Sequence, residues 1–331
     1  MRRILPVLLL LMLAAPLPAQ DFPVRIDHAF GTAEIPAPPT RVVSLSFIGH
    51  DFLLALGVKP HALRKWYGDH PHGVWPWAQA ALGEAEPIVM QGQIDIEAIA
   101  AMRPDLIVGQ WSGMTAHDYR LLSQIAPTVA HRAEWGPYGA PWQEMLRTLG
   151  RATGRLDRAE AEIARLQARF ARIRAAHPEW QGASAAMVWA GSTGAYTSRD
   201  VRGRLLGELG FVIPAGIDAR GSLNRTYVRI PPEDLSEIDV DALIWLDAGQ
   251  SVERLNTLPL RMTMRAYAEG REIYSGLMLS AAVSHSSPLS LDYALDHLVP
   301  LLEAAMDGDP ATVVRSSIQA GLLLPGGGDA R

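Results

Sequence analysis

The chain contains no cysteine. That excludes disulfides, thiolate metal sites, a cysteine nucleophile and lipid attachment to an N-terminal cysteine. Lysine is almost missing: only Lys59 and Lys65 stand among 30 basic residues, an arginine bias attributable to genome composition. Excess positive charge is missing too. A formal net charge of −5 at pH 7 argues against nucleic acid as a partner. Beyond residue 20 there is no run of about 18 apolar residues, so the mature chain is not expected to cross a bilayer.

What is present is an ordinary globular balance, 48% hydrophobic and 20% charged, over 331 residues, enough for two domains. Residues 1–20 read as a secretory signal: Arg2 and Arg3, an apolar core from Ile4 to Leu13, then a small-residue exit ending near Ala19 or Gln20. Its removal would release an exported protein.

The clearest helix lies between Asp157 and His177. Leu156, Ala159, Ile163, Leu166, Phe170 and Ile173 form one apolar stripe at three- and four-residue steps. Asp157 with Glu160 has the spacing of a capping box, and Pro178 follows the end. Trp142, Met145, Leu146 and Leu149 predict a shorter helix just before it. On either side, strand and helix signals alternate, so parallel sheets covered by helices are expected. The predicted fold is α/β: two βα lobes with mostly parallel central sheets, joined by one long α-helix. The boundaries are a signal peptide at 1–20, a first lobe at 21–140, a linking backbone helix at 141–180, a second lobe at 181–324 and a flexible tail at 325–331. Within this scheme 21–40 reads as a proline-rich lead, Pro231 to Ile238 and Leu260 to Ala268 as helices, and Leu289 to Met306 as the closing helix.

The two halves share a local signature. Glu97 opens a helix and Asp105 precedes a strand eight residues later; Glu233 and Asp241 repeat that spacing. Together with Arg41-Val-Val-Ser-Leu, Ile96-Glu-Ala-Ile-Ala-Ala-Met-Arg-Pro-Asp-Leu-Ile107, Pro232-Glu-Asp-Leu-Ser-Glu and the closing Pro259-Leu to Glu272-Ile-Tyr region, it resembles the periplasmic substrate-binding proteins of iron-siderophore and cobalamin uptake, of the helical-backbone, class III type. The later half is most similar to the hydroxamate-siderophore binders. The resemblance implies a periplasmic, monomeric binding protein that carries a ferric siderophore or similar chelate in a cleft and delivers it to an ABC permease dimer. It implies no enzyme activity and no cofactor of its own, iron entering only within the chelate. It further implies that one acidic residue on each lobe, here Glu97 and Glu233, meets arginines on the permease.

Ligands of open α/β sheets sit beyond the carboxyl ends of the strands. The loops there are aromatic: Trp66 and Tyr67, Trp111, Trp189 and Tyr196, then Trp245; of these Trp189 and Trp245, within or at the end of a strand, fit the core best. Such a wall suits a large, partly apolar chelate. Arg199, Arg202 and Arg225 are placed to meet its anionic oxygens. Tyr227, Asp247 and His285 lie in further loops that would close the site. Gln91 stands where hydroxamate binders often carry an arginine, which leaves catecholate, citrate, haem-like and corrinoid ligands open.

Two other functions remain in view. His70 and His72 with Asp69, joined by His50, His117, His131 or His285, offer ligands for a free metal ion, although no His-Glu-x-x-His spacing occurs and no protein metal site is expected. Ala190-Gly-Ser192-Thr-Gly194 follows a strand like a hydrolase elbow, with Asp247 and His285 to complete a Ser-Asp-His order. It lacks the glycine two before the serine.

Overall fold

The computed structural model describes residues 22–247 and 251–324. The signal segment and the tail from Pro325 lie outside the described residues, as do 248–250. No helix among the described residues is long and apolar enough to cross a membrane.

The first lobe opens with an antiparallel hairpin, β1 (Val24–His28) and β2 (Gly31–Ile35). The lead is therefore not a bare linker. Alternation of Val24, Ile26 and His28 on one face, and of Ala33 and Ile35 opposite, buries that face; the prolines begin only after Ile35. Then follow β3 (Val42–Ser44), α1 (Gly49–Ala55), β4 (Ala62–Arg64), α2 (Pro76–Leu82), β5 (Ile88–Met90), α3 (Ile96–Ala101), β6 (Leu106–Val108), α4 (Ala116–Leu122) and β7 (Thr128–Val129). The strands form one parallel sheet in the order β5-β4-β3-β6-β7. Every residue of β3, β4 and β6 is buried, as expected where helices cover both faces. The order reverses between β3 and β6, so the loops leaving those strands diverge and open a crevice. Helix α2 is not among the helices expected from the pattern; its Pro76 occupies the first helical position. Helix α4 begins earlier than its apolar pattern suggests, because Thr115 and Asp118 form a reciprocal cap.

The linking segment is α5 (Trp142–Thr153) and α6 (Leu156–Ala176), separated by Gly154 in the left-handed region at φ 69°. The α6 stripe of Ala159, Ile163, Leu166 and Phe170 is buried. At 1.5 Å per residue the helix is about 32 Å long. The expected Asp157–Glu160 cap is not made. Arg155 is the N-cap, and Glu160 instead accepts from Arg147 Nε at 2.6 Å and Nη2 at 3.1 Å, a forked charge-assisted pair that outcompetes a cap.

The second lobe holds β8 (Ala185–Trp189), β9 (Gly194–Tyr196), α7 (Val201–Glu208), α8 (Ala215–Ala219), β10 (Tyr227–Arg229), β11 (Ala242–Leu246), α9 (Val252–Asn256), α10 (Arg265–Ala268), β12 (Glu272–Tyr274), α11 (Gly276–His285), α12 (Pro288–Ala305) and α13 (Arg315–Ala320). Its sheet runs β10-β9-β8-β11-β12, parallel from β8 to β12 and antiparallel through β9 and β10. Pro231 to Ile238 is not an α-helix; only Ser236–Ile238 makes a 3-10 turn. Asp234 accepts from the Ser236 N–H and hydroxyl, a local turn that competes with helix hydrogen bonding. Leu260 to Ala268 is likewise broken at Met264, which is extended (ψ 146°), and Asp239 caps the short α10 that follows.

The repeated signature has a physical basis. Asp105, just before β6, accepts from Thr40 N and Oγ1 and from Arg41 N at 2.7–2.8 Å. Asp241, just before β11, accepts from Ser184 N at 2.9 Å and Oγ at 2.7 Å. In both sheets one aspartate clamps the entry of the neighbouring strand, β3 or β8.

The lobes are tied twice. Besides α6, α12 packs on α1 and α2 of the first lobe. Arg165 forks onto Asp292 at 3.0 and 2.7 Å, and Arg169 reaches Asp292 and Asp296, so α6 and α12 are bolted side by side.

Candidate functional site

A cleft of about 680 Å³ opens between the lobes. The first lobe contributes Phe47, Trp66, Tyr67, Trp111 and Tyr138 to it. Phe47 follows β3, Trp66 and Tyr67 follow β4, and Trp111 follows β6, as the strand-end rule requires. Trp66 sits at the centre of the cluster, with ring centroids 4.7 Å from Tyr67, 5.1 Å from Trp111 and 6.0 Å from Phe47. Trp111 adopts φ 54°, uncommon for a side chain of this size, and its Nε1 donates to Tyr138 O at 3.0 Å. Behind Phe47 lies the Arg64 guanidinium, 4.0 Å from the ring centroid. It is held by the carbonyls of Gly92 at 2.9 Å and Ser112 at 3.0 Å.

The second lobe contributes Trp189, Ser192, Tyr196, Asp200, Arg202, Thr226, Tyr227 and Ser284. Gly194 lets the Tyr227 ring lie against β9, since a Cβ there would meet the ring at 1.8 Å. Ser192 Oγ and Tyr227 OH share a hydrogen bond. Arg202 is buried. Its Nη1 donates to Asp200 Oδ1 at 2.9 Å, its Nε to Ser284 Oγ at 3.0 Å, and its guanidinium lies 4.2 Å from the Tyr196 ring centroid. Burial works against the charge of Arg202, but Tyr196 and Asp200 outweigh it and keep the guanidinium protonated. Burial also pushes Tyr67 up, and Tyr196 up to about 12, so both phenols keep their protons and remain donors.

Of the residues picked from the sequence, Trp66, Tyr67, Trp111, Trp189, Tyr196 and Tyr227 come together on this wall, with Arg202. Others do not. Gln91, Arg199 and Arg225 are exposed and off the wall. Trp245 is core, its Nε1 bonded to Glu272 at 2.7 Å inside the sheet. Asp247 is buried and accepts from Tyr274 OH and Ser251 N. His285 is not in a loop; it ends α11 and is fully buried. Phe47, Tyr138, Asp200, Thr226 and Ser284 escaped the sequence reading. Phe47 alone obeyed the strand-end rule and was legible.

Ser192, Asp247 and His285 each bond elsewhere, His285 Nδ1 to Ala281 O at 2.9 Å, so they do not form a relay. Among the described residues no group of three or more His, Asp or Glu is arranged to hold a metal ion. His70 packs on Trp75 and His131 on Phe30, while His117 lies 3.2 Å from Arg120. Glu97 and Glu233 are both exposed. Asp95, not Glu97, caps α3, accepting from Ala98 N at 2.9 Å. Glu233 borders a groove shared with Arg254 and Leu258.

Beneath Trp66 the lobes meet in a buried polar knot. Asp51 Oδ2 on α1 accepts from Trp77 Nε1 at 2.7 Å and from Ser287 Oγ, the N-cap of α12, at 3.0 Å. The ring centroids of His50 and His285 are 6.1 Å apart. Burial lowers His50, and lowers His285 from 6.5 to about 4, more than Asp51 raises it, with His50 and Arg202 adding to the fall. Folded His285 therefore stays neutral between pH 6.5 and 4, while the unfolded chain takes up its proton. Stability from this group is complete above pH 6.5 and is lost as pH falls towards 4, by about 3 kcal/mol at 1.36 kcal/mol per unit. In urea titrations the wild type should lose about 2 kcal/mol more than His285→Gln between pH 7 and pH 4.5. Parallel losses in the two proteins would refute the assignment.

The profile of the periplasmic binding protein family matches residues 42–275. The ferric enterobactin-binding periplasmic protein FepB of Escherichia coli is 27% identical over 291 residues, 80% of this chain and 90% of that one. Among solved structures, a periplasmic solute binding protein from Mycobacterium smegmatis superposes with a TM-score of 0.75 at 32% identity, covering 86% of this chain and 98% of that one. PiaA of Streptococcus pneumoniae in complex with ferrichrome gives 0.72 at 28%, covering 86% and 99%.

Proposed function

The chain belongs to the periplasmic binding protein family, and from that premise we propose that it captures a ferric siderophore or a similar chelate between its lobes and hands it to an ABC permease. The observation that carries this reading is the aromatic cleft at the strand ends, of a size for a ligand of several hundred daltons. Iron is cargo, enclosed by its chelator, and the protein performs no chemistry on it. Trp66, Trp111, Tyr196 and Tyr227 grip the apolar rim, while Tyr and Ser hydroxyls and Arg202 orient the polar face. Siderophore relatives of this kind work outside the cytoplasm, and the predicted signal peptide fits a periplasmic location. Because both α6 and α12 tie the lobes, closure on the ligand is small.

Intrinsic fluorescence of the nine tryptophans tests the reading. Titration with a panel of ferric siderophores, haem and cobalamin should give saturable quenching by at least one ferric siderophore at micromolar concentration or below. Silence towards the whole panel, with a response to Zn²⁺ or Mn²⁺, would replace it with free-metal binding. Glu97 and Glu233 form the permease-docking pair: both carboxylates are exposed, one on each lobe, where charge sets register and encounter rate. Reversing both to arginine should abolish uptake in cells while ligand affinity stays within about threefold. Normal uptake by the double variant removes the docking role.

A further inference from the structure

The two charged residues on the cleft wall, Asp200 and Arg202, are bonded to each other. Asp200 is held in place from three sides. It accepts from Arg202 N at 3.0 Å as the N-cap of α7, from Arg202 Nη1 at 2.9 Å, and from Thr226 Oγ1 at 2.9 Å. Both side chains are more than nine-tenths buried, Asp200 at 2% and Arg202 at 5% exposure. Solvent therefore screens this pair little. The other arginines near the cleft do not restore a positive wall. Arg64 is behind Phe47 and turned onto two carbonyls, and Arg199 and Arg225 are exposed and do not line the wall. The rest of the wall is aromatic faces, whose quadrupoles favour neutral or cationic groups over anions.

From this arrangement we propose that the cleft is a charge filter: it accepts ferric chelates of about zero net charge and rejects polyanionic ones, and Asp200 sets that preference by cancelling Arg202. Three hydroxamates neutralise ferric iron, whereas three catecholates leave a trianion. A trianion entering this cleft would lose its hydration and meet a cation already satisfied by a fixed carboxylate. A neutral tris-hydroxamate loses little, and Arg202 can still donate to one of its oxygens while paired. Family likeness does not decide the point, since FepB is named for ferric enterobactin and PiaA was solved with ferrichrome. The inference rests on the chelate reading above and narrows it to a ligand class.

The test uses the whole mature protein and two probes, ferrichrome as the neutral chelate and ferric enterobactin as the trianion, titrated by tryptophan fluorescence at 0.15 M salt. The wild type should bind ferrichrome at least about 100-fold more tightly. Asp200→Asn should narrow that ratio about tenfold by freeing the charge of Arg202. Asparagine is as good an N-cap as aspartate, so α7 keeps its start. Asp200→Ser, which also caps but removes the carboxylate, should narrow the ratio in the same direction, and thermal melts establish that both variants fold. Equal affinity of the wild type for both probes, or an unchanged ratio in both variants, overturns the filter and leaves the chelate reading standing. Failure of both probes to bind, with a response to haem, cobalamin or a bare ion, overturns both.

Discussion

Trp66→Ala is expected to weaken ligand binding by about 100-fold, close to 2.7 kcal/mol. Trp66 touches three of the other first-lobe rings: Phe47, Tyr67 and Trp111 pack around it, and His285 supports it from below at 5.8 Å. Removing it takes an indole from the centre of the first-lobe wall and frees its neighbours to turn. Large, preorganised aromatics at the centre of a desolvated pocket are where binding energy concentrates. The side chain is half-buried, so the fold survives the truncation and the remaining tryptophans still report quenching. Arg199→Ala, exposed and off the wall, serves as the control and should stay within about threefold. If Trp66→Ala matches that control, the aromatic cluster is not the grip, and the polar residues of the second lobe must carry the ligand.

Glu272→Ala is expected to cost 3–5 kcal/mol of folding stability, roughly the worth of breaking a buried ion pair from one side. Glu272 accepts from Arg261 Nε and Nη2, both at 2.9 Å, and from Trp245 Nε1 at 2.7 Å. Arg261 is 0% exposed, so alanine at 272 leaves a desolvated cation and an indole N–H without their acceptor. Arg261 Nη2 also donates to Leu323 O, so the chain following α13 should loosen as well. Glu272→Gln keeps an acceptor without the charge and should fall between wild type and alanine. Urea denaturation at pH 7 measures the series. A loss below about 1 kcal/mol for the alanine variant would mean that water reaches Arg261 and that the pair is not sealed. Because Glu272 opens β12, at the end of the strand opposite the cleft, ligand affinity per folded molecule should not follow the stability loss.

The difference between these two sites also marks what could be read in advance. Trp66 was legible because it follows a strand in a parallel α/β pattern, and that pattern predicts where ligands sit. Trp189 and Trp245, both in or at the end of a strand, fit the core best; Trp245 does lie in the core within β11, bonded to Glu272, whereas Trp189 ends β8 on the cleft wall. Strand ends are uncertain by a residue or two, and one residue changes the face on which a side chain lies. His285 looks like a loop residue because α11 carries no apolar period, being buried nearly all round, while Asp247 does follow β11 but is buried onto Tyr274. Pro231 to Ile238 failed because Asp234 made a turn where proline and acidic residues suggested a helix start.

The sequence by itself determined the two α/β lobes, the linking helix, the aromatic character of the strand-end loops and the repeated glutamate–aspartate spacing. These depend on period, propensity and short-range caps, which act within a turn or two of the chain. Only the tertiary structure decided which aromatics share one cleft, that α12 ties the lobes a second time, and that Asp200 silences the charge of Arg202 while Arg199 and Arg225 face solvent. Those outcomes turn on burial and on contacts between segments far apart in sequence. Whether a charge is screened, paired or free is a property of its surroundings and not of its residue type.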